Sequence, residues 1–496
     1  MTQVVIGVDV GTTSAKATAF DVDGGEHGHG EHGYELADPQ PGAAVLDPGE
    51  VVDAALRAIA DAAAQARRAH CEIAGLAMSA AMHGLTALDA GGRPLTPLMT
   101  WADTRAIEEA ERLRAEHPDL HARTGTPLHP MAPLAKLRWL RAHEPAAFRD
   151  AACFAGVKAL VLHALTGELV TDHSMASGTG LLALRELDWD PEALELAGIE
   201  AGRLPRLVPA TEVLELTADV GLPAGTPVVA GAADGPLANL GVGAVRPGVA
   251  ACSIGTSGAL RVMVEAPATD PAGRVFCYAL TPGRWAVGGA INNGGVVLQW
   301  AGEALAPDLG EHPERELLAL AGEVPPGSEG LIMLPYLLSE RAPHWSALPR
   351  GAYVGLTRGH GRGHLIRAAV EGVCQQLALV LASVREAGNE VREIRATGGF
   401  ARSDLWRQIL ADVLGMEVGF PAGHEGSGFG AALLGMEALG VIDSIERAAD
   451  LVAIEDRVEP DPAAAETYAE LRPVFDGLFD ALAPAFRRLR RLDPGA

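Results

Sequence analysis

Residues 3–24, QVVIGVDVGTTSAKATAFDVDG, begin with an apolar run, pass through a turn of small polar residues, and continue through an alternating stretch to a DG turn. The pattern predicts a buried strand, a tight turn and a second strand. Residues 249–266, VAACSIGTSGALRVMVEA, repeat the plan around GTSG. Gly11 and Gly255 are 244 residues apart in a chain of 496, as expected if one structural unit occurs twice. Elsewhere, short apolar runs (EIAGLAMSA, TPVVAGAA, RWAVGGA, EGLIMLPY) alternate with stretches of helical period, among them VVDAALRAIADAAAQARRA and HLIRAAVEGVCQQLALVLASVREAG. Such alternation predicts an α/β architecture. The punctuated link GAVRPGVA places the domain break near residue 245. The expected domains are 1–245 and 246–496, a division that the length of the chain also favours. Near the end, Tyr468, Leu471, Phe475, Leu478, Leu482 and Phe486 recur at helical spacing before RRLRR. They predict a terminal helix docked on the body, its basic end matching the helix dipole.

Composition narrows the function classes. The longest apolar stretch noted, CFAGVKALVLHAL, is interrupted by Lys158 and His163, so no membrane span is expected. The start of the sequence lacks the pattern of a signal peptide, and the expected location is cytoplasmic. Five scattered cysteines without a CxxC pair argue against a disulfide framework or a zinc site. A formal charge of -25 disfavours nucleic acid and anionic membranes, and any anionic substrate must meet locally placed cations. Lysine occurs only at Lys16, Lys136 and Lys158. Those positions are either survivors of a coding bias towards arginine or sites that need a compact ammonium.

Two turns suit phosphate. Gly11, Thr12, Thr13 and Ser14, and again the stretch from Gly255 and Thr256 to Gly258, combine small residues that let backbone N–H groups approach a ligand with hydroxyls that add hydrogen bonds. Asp9 lies two residues before the first turn, placed to hold a hydrated magnesium, and Lys16 two residues after it, within reach of a terminal phosphate oxygen. Asp234, in VVAGAADGPLANLGVGA, reads either as a helix N-cap or as a general base for an attacking hydroxyl. Residues 81–106 gather His83, Trp101, Asp103 and Arg105, directional polar groups over an apolar platform, as a polyol requires. Trp101 also fits a core position, and Asp103 with Arg105 also fits a surface pair. Gly398 and Gly399 follow a strand, with Ser403 at a helix start, a shape open to a nucleoside. EGSGFGAALLG has Ala431 where a dinucleotide fingerprint needs its third glycine, which disfavours a nicotinamide enzyme. His27, His29 and His32 read as an exposed polar edge rather than a metal tract.

DVGTTSAK, SIGTSG, TGGFARSDLWRQILAD and GAYVGLTRGHGRGHLIRAAVEG together resemble the FGGY carbohydrate kinases of the actin-like ATPase superfamily, over about residues 4–445. MAPLAKLRWLRAH is similar to the other family signature, with Ala142 where a polar residue is usual. The resemblance implies two ribonuclease-H-like domains around a cleft, with ATP and Mg2+ as cofactors. It implies Asp234 as catalytic base, Asp9 as a magnesium-associated carboxylate, and Thr12, Thr13, Ser14 and Lys16 as phosphate contacts. Thr256, Gly295 and Gln299 would contact the nucleotide, Gly399 and Ser403 would border adenine, and Met82, His83 and Arg105 fall on sugar-contact positions. TWADTRA, SMASGTGLL, RVFCYALTPGRWAVGGAINNGG and LPYLLSERAPHW resemble the branch of that family that acts on a sugar acid, which implies gluconate as acceptor, with the ketopentose xylulose as the alternative. An anionic acceptor requires a cation, for which Arg105, His83, Lys158 and Arg341 are the candidates. The expected partners are a small-molecule sugar acid or sugar, with neither nucleic acid nor membrane; a homodimer is left open.

Overall fold

The structure, a computed structural model, describes residues 1–310, 313–421 and 426–492. The chain divides into two compact units: Met1–Arg246 with Met263–Val287 and His424–Val452, and Pro247–Val262 with Gly288–Gly423 and Ala453–Ala496. It thus passes between units at Arg246 and Pro247 and again at four later points.

In the first unit the predicted strands are β1, Gln3–Val10, and β2, Ser14–Asp21, an antiparallel pair in which Asp9 lies opposite Lys16. With β3 (Glu26–Gly33), β4 (Glu72–Ala80), β5 (Val213–Glu215) and β6 (Pro227–Ala233) they form a sheet of order β5-β6-β4-β1-β2-β3. Strands β1, β4 and β6 run parallel, and β2, β3 and β5 pair antiparallel to their neighbours. The near-continuous apolar character of β1 follows from its central place, since parallel strands are covered on both faces. His27, His29 and His32 lie on edge strand β3, bonded to Asp21, Thr18 and Asp61.

The second unit repeats this connectivity. Strands β7 (Val249–Ile254) and β8 (Gly258–Val264) form the antiparallel hairpin, β9 (Glu393–Thr397) and β10 (Val418–Pro421) continue in parallel, and β11 (Ile454–Val458) closes the edge antiparallel. The run β8-β7-β9-β10-β11 therefore matches β2-β1-β4-β6-β5 strand for strand. The spacing of Gly11 and Gly255 reflects that internal repeat.

The apolar helix Arg362–Glu386 meets the length and hydropathy of a membrane span, but 89% of its apolar window is buried within the protein. It is a core helix, and a longer apolar element than the 153–165 stretch singled out in the sequence, which folds as a short strand and the helix Val157–Thr166. The terminal helix Pro462–Leu492 buries Tyr468, Phe475 and Phe486; Phe475 and Phe486 pack with Leu334, Tyr336 and Leu379. Tyr468 donates to Glu371 at 2.7 Å.

The glycine-rich segment near 427 has a packing role. Glu425 lies outside the described residues, and Ser427–Ala438 is a helix against β1, β4 and the helix Asp234–Gly241. A Cβ on Gly7 would lie 2.0 Å from the Gly428 carbonyl oxygen, and one on Gly430 would lie 2.0 Å from that of Leu237. Backbones this close admit only glycine.

Candidate active site

In the first unit the turn after β1 is closed by the Gly11 N–H donating to the Ser14 carbonyl at 3.0 Å, and Tyr34 Oη donates to the Gly11 carbonyl at 2.6 Å. Thr12 accepts from Trp101 Nε1 at 3.0 Å, joining the phosphate turn to the polar 81–106 segment. Asp9 is half-buried, its Oδ1 accepting from Ser79 at 2.8 Å. Among the described residues no group of three or more potential ligands could cage a metal. One carboxylate beside a phosphate turn is the donor set that suits hydrated Mg2+, which binds through few protein oxygens plus substrate phosphates. Thr13 is exposed. Ser14 and Lys16 lie on β2 and both engage Glu31, Lys16 at 3.2 Å from an exposed position.

The 81–106 segment is more tightly organised than its sequence suggests. Asp103 is fully buried and accepts from the backbone N–H, Nε and Nη2 of Arg105 and the backbone N–H of Ala44. This is a buried orienting pair rather than a surface one. The guanidinium lies 4.4 Å above the Trp139 ring, leaving Nη1 outside the pair. His83 is buried with φ 67, a left-handed conformation that costs a non-glycine residue energy and so marks an imposed geometry. Its Nδ1 donates to the Gly178 carbonyl at 2.7 Å, since a carbonyl can only accept, and its ring meets Tyr278 edge-on. Met82 is buried beside Gly178. Behind them Lys136, wholly buried in the helix Pro133–His143, donates to the carbonyls of His83 and Thr100, each at 2.6 Å. Burial pushes its ammonium down to about 7, with Asp103 opposing the shift.

Asp234 is the first residue of its helix, the cap position being Ala233, and its Oδ1 accepts from the Gly235 N–H at 2.7 Å. The approach to it is fixed by a buried relay. Lys158 and Asp172 form an ion pair at 2.6 Å with almost no exposure, and Asp172 also accepts from Met175 N–H, capping the short helix His173–Ser177. On that helix Ser174 Oγ accepts from the Ala233 N–H at 3.1 Å. Burial pushes the Lys158 ammonium down, while Asp172 and, more weakly, Asp234 hold it up.

In the second unit the GTSG turn collects further predicted residues. The Gly295 N–H donates to Gly255 at 2.6 Å and the Gly294 N–H to Thr256 at 3.0 Å, so the start of helix Val296–Leu305 is seated on the turn. Gln299 is exposed one turn along that helix and bonds Glu303. Buried Glu340 accepts from the backbone of Asn292 and Arg341 and the side chain of Asn293, anchoring the loop before Gly294; burial raises its carboxyl to about 7. Gly399 is exposed, and Ser403 caps the helix Asp404–Leu414 through Trp406 N–H. Gly398, at φ 114 and ψ 178, packs so that a Cβ would lie 2.3 Å from the Ile254 carbonyl oxygen, just before the GTSG turn. Gly398→Ala should therefore cost roughly 1–3 kcal/mol from the glycine-only backbone region alone. It should also raise the KM for ATP more than that for the acceptor, checked by urea denaturation and initial-rate kinetics.

Sequence reasoning did not identify Ser79, Asp172, Ser174 or Glu340, and it marked Lys136 as one of three lysines and part of a signature without giving it a partner. The usable signal was the rarity of lysine in an arginine-rich chain.

Two repeats of one α/β topology, each with a phosphate-type turn after its first strand, and an aspartate beginning the helix that follows β6, suit phosphoryl transfer. The chain belongs to the FGGY family of carbohydrate kinases: residues 4–241 match its N-terminal domain and residues 250–439 its C-terminal domain. It is a phosphotransferase that uses ATP and acts on an alcohol group of a small sugar-type substrate. Gluconokinase from Bacillus subtilis (strain 168) is 41% identical, with 96% of each chain covered. Xylulose kinase from Escherichia coli (strain K12) is 31% identical over 97% of this chain and 99% of its own. The crystal structure of gluconate kinase from Lactobacillus acidophilus superposes with a TM-score of 0.94 at 33% identity, covering 99% of this chain and 100% of that one.

Proposed function

We propose that the protein transfers the γ-phosphate of ATP to the terminal hydroxyl of gluconate, giving 6-phosphogluconate. The observation that carries the substrate is Arg105, held by buried Asp103, stacked on Trp139, and sharing the 81–106 segment with His83. Of the four candidate cations, Lys158 is sealed against Asp172, Arg341 donates to the Ile291 carbonyl, and the His83 ring is tied through Nδ1 to Gly178. Arg105 remains the group best suited to a carboxylate, because its planar fork pairs with two oxygens at once.

The terminal hydroxyl oxygen attacks phosphorus, the bond from phosphorus to the ADP oxygen breaks, and the hydroxyl proton passes to Asp234. Backbone N–H groups of the 11–14 turn, with Lys16, stabilise the spread negative charge. Bound Mg2+, associated with Asp9, would neutralise phosphate charge. Thr256, Gly295 and Gln299, with Gly398, Gly399 and Ser403, would hold the nucleotide.

The test is ADP release with a panel of gluconate, xylulose and glycerol. Gluconate is expected to give the highest kcat/KM. Turnover of xylulose without turnover of gluconate would move the protein to the ketopentose kinases, the reading favoured by its likeness to xylulose kinase.

A further inference from the structure

Arg105 by itself is a poor receptor for an anion, because the buried carboxylate that orients it also cancels its charge. Asp103 accepts three bonds from Arg105 side-chain nitrogens, so the pair is neutral as a unit. A second buried cation stands close by. Lys136 Nζ reaches the carbonyls of His83 and Thr100, both in the 81–106 segment, and the Thr100 carbonyl also accepts from the Asp103 backbone N–H at 3.1 Å. With Lys136 protonated, the three side chains carry one net positive charge. With it neutral they carry none.

Taking the gluconate reading as its basis, we propose that Lys136 is a positioning and specificity-determining residue: it clamps the His83 and Thr100 carbonyls and offsets Asp103, so that Arg105 meets an acceptor carboxylate with its charge uncancelled. Lys136 does not touch the acceptor; it is wholly buried and acts through these neighbours. Several charged groups on or beside the helices packed against its own pair with one another. Glu109 pairs with Arg138 and Arg112, and Asp190 and Glu192 pair with Arg123. The histidines nearby are His83 and His129, the latter accepting from the Met131 N–H.

Clamping and charge separate in experiment. A neutral amine still has two N–H groups for two carbonyls, so deprotonation removes the charge and keeps the clamp. A protonated Lys136 favours an anionic acceptor, and that advantage is lost as pH rises through about 7.

The probes are gluconate and gluconamide, which differ only in carboxylate against amide, measured for binding to the wild-type enzyme between pH 6 and 8. Gluconate affinity should fall by up to about tenfold across that range, the limit for one proton linked to binding, while gluconamide affinity stays constant. In Lys136→Met, gluconate binding should weaken by at least about tenfold, and far more than gluconamide binding, with Lys136→Arg recovering part of it. Equal weakening of both ligands would reduce Lys136 to a structural role and overturn the proposal, as would flat wild-type profiles for both. Flat wild-type profiles overturn the proposal even if Lys136→Met fails to fold. Failure of the wild-type enzyme to phosphorylate gluconate would sink the substrate reading itself; phosphorylation with no discrimination by Lys136 sinks this inference alone.

Discussion

Asp234→Asn should lower kcat by about 10²–10⁴-fold, the usual contribution of a positioned general base. It should leave the KM for ATP and the denaturation midpoint close to wild type. The substitution is nearly isosteric, and an asparagine Oδ1 still accepts from the Gly235 N–H, so the start of the helix survives. The effect should therefore fall on the chemical step. Acceptor-dependent ADP release, followed together with urea unfolding, separates a lost base from a damaged fold. An unchanged kcat would remove Asp234 from the proton transfer.

Lys158→Met should be the most destabilising single change discussed here. It strands the Asp172 carboxylate in the interior, and breaking a buried pair from one side costs about 3–5 kcal/mol. The damage should spread to activity, because Asp172 caps the helix carrying Ser174, which holds the Ala233 N–H next to Asp234. The double variant Lys158→Met with Asp172→Asn should recover most of the stability. Asparagine removes the unpaired charge yet retains the oxygen that accepts from Met175. Calorimetric or urea unfolding of the two variants checks the ordering. Equal loss in both would mean that the pair's charge is not what matters at this position.

The same two lysines show how far sequence reading carries. Three lysines among 39 basic residues marked positions where an ammonium had been kept, and two of the three are wholly buried. Composition could raise the question but not give the partners. Asp172 is 14 residues from Lys158, and the His83 carbonyl is 53 residues from Lys136. Both separations exceed the few residues over which side chains of one helix or strand meet, so no local pattern announces the contact.

The repeated strand-turn-strand, by contrast, was legible because it is local. An apolar run, small turn residues and an alternating run encode a hairpin within about twenty residues, and the spacing of Gly11 and Gly255 exposed the duplication. The polar density of residues 81–106 was equally visible. Its internal order was not, since Asp103 with Arg105 suits a surface pair as well as a buried one until burial is known. The glycines at 428 and 430 invited comparison with a nucleotide fingerprint, yet the structure uses them for backbone approach to β1 and the Asp234 helix.

The sequence by itself thus determined the elements, the α/β class, the duplication and the candidate residues for phosphoryl transfer, because these rest on periodicity and side-chain type. Only the tertiary structure decided which of those groups are oriented by others. Burial and long-range pairing set the charge an acceptor would meet, and both depend on residues brought together from distant parts of the chain.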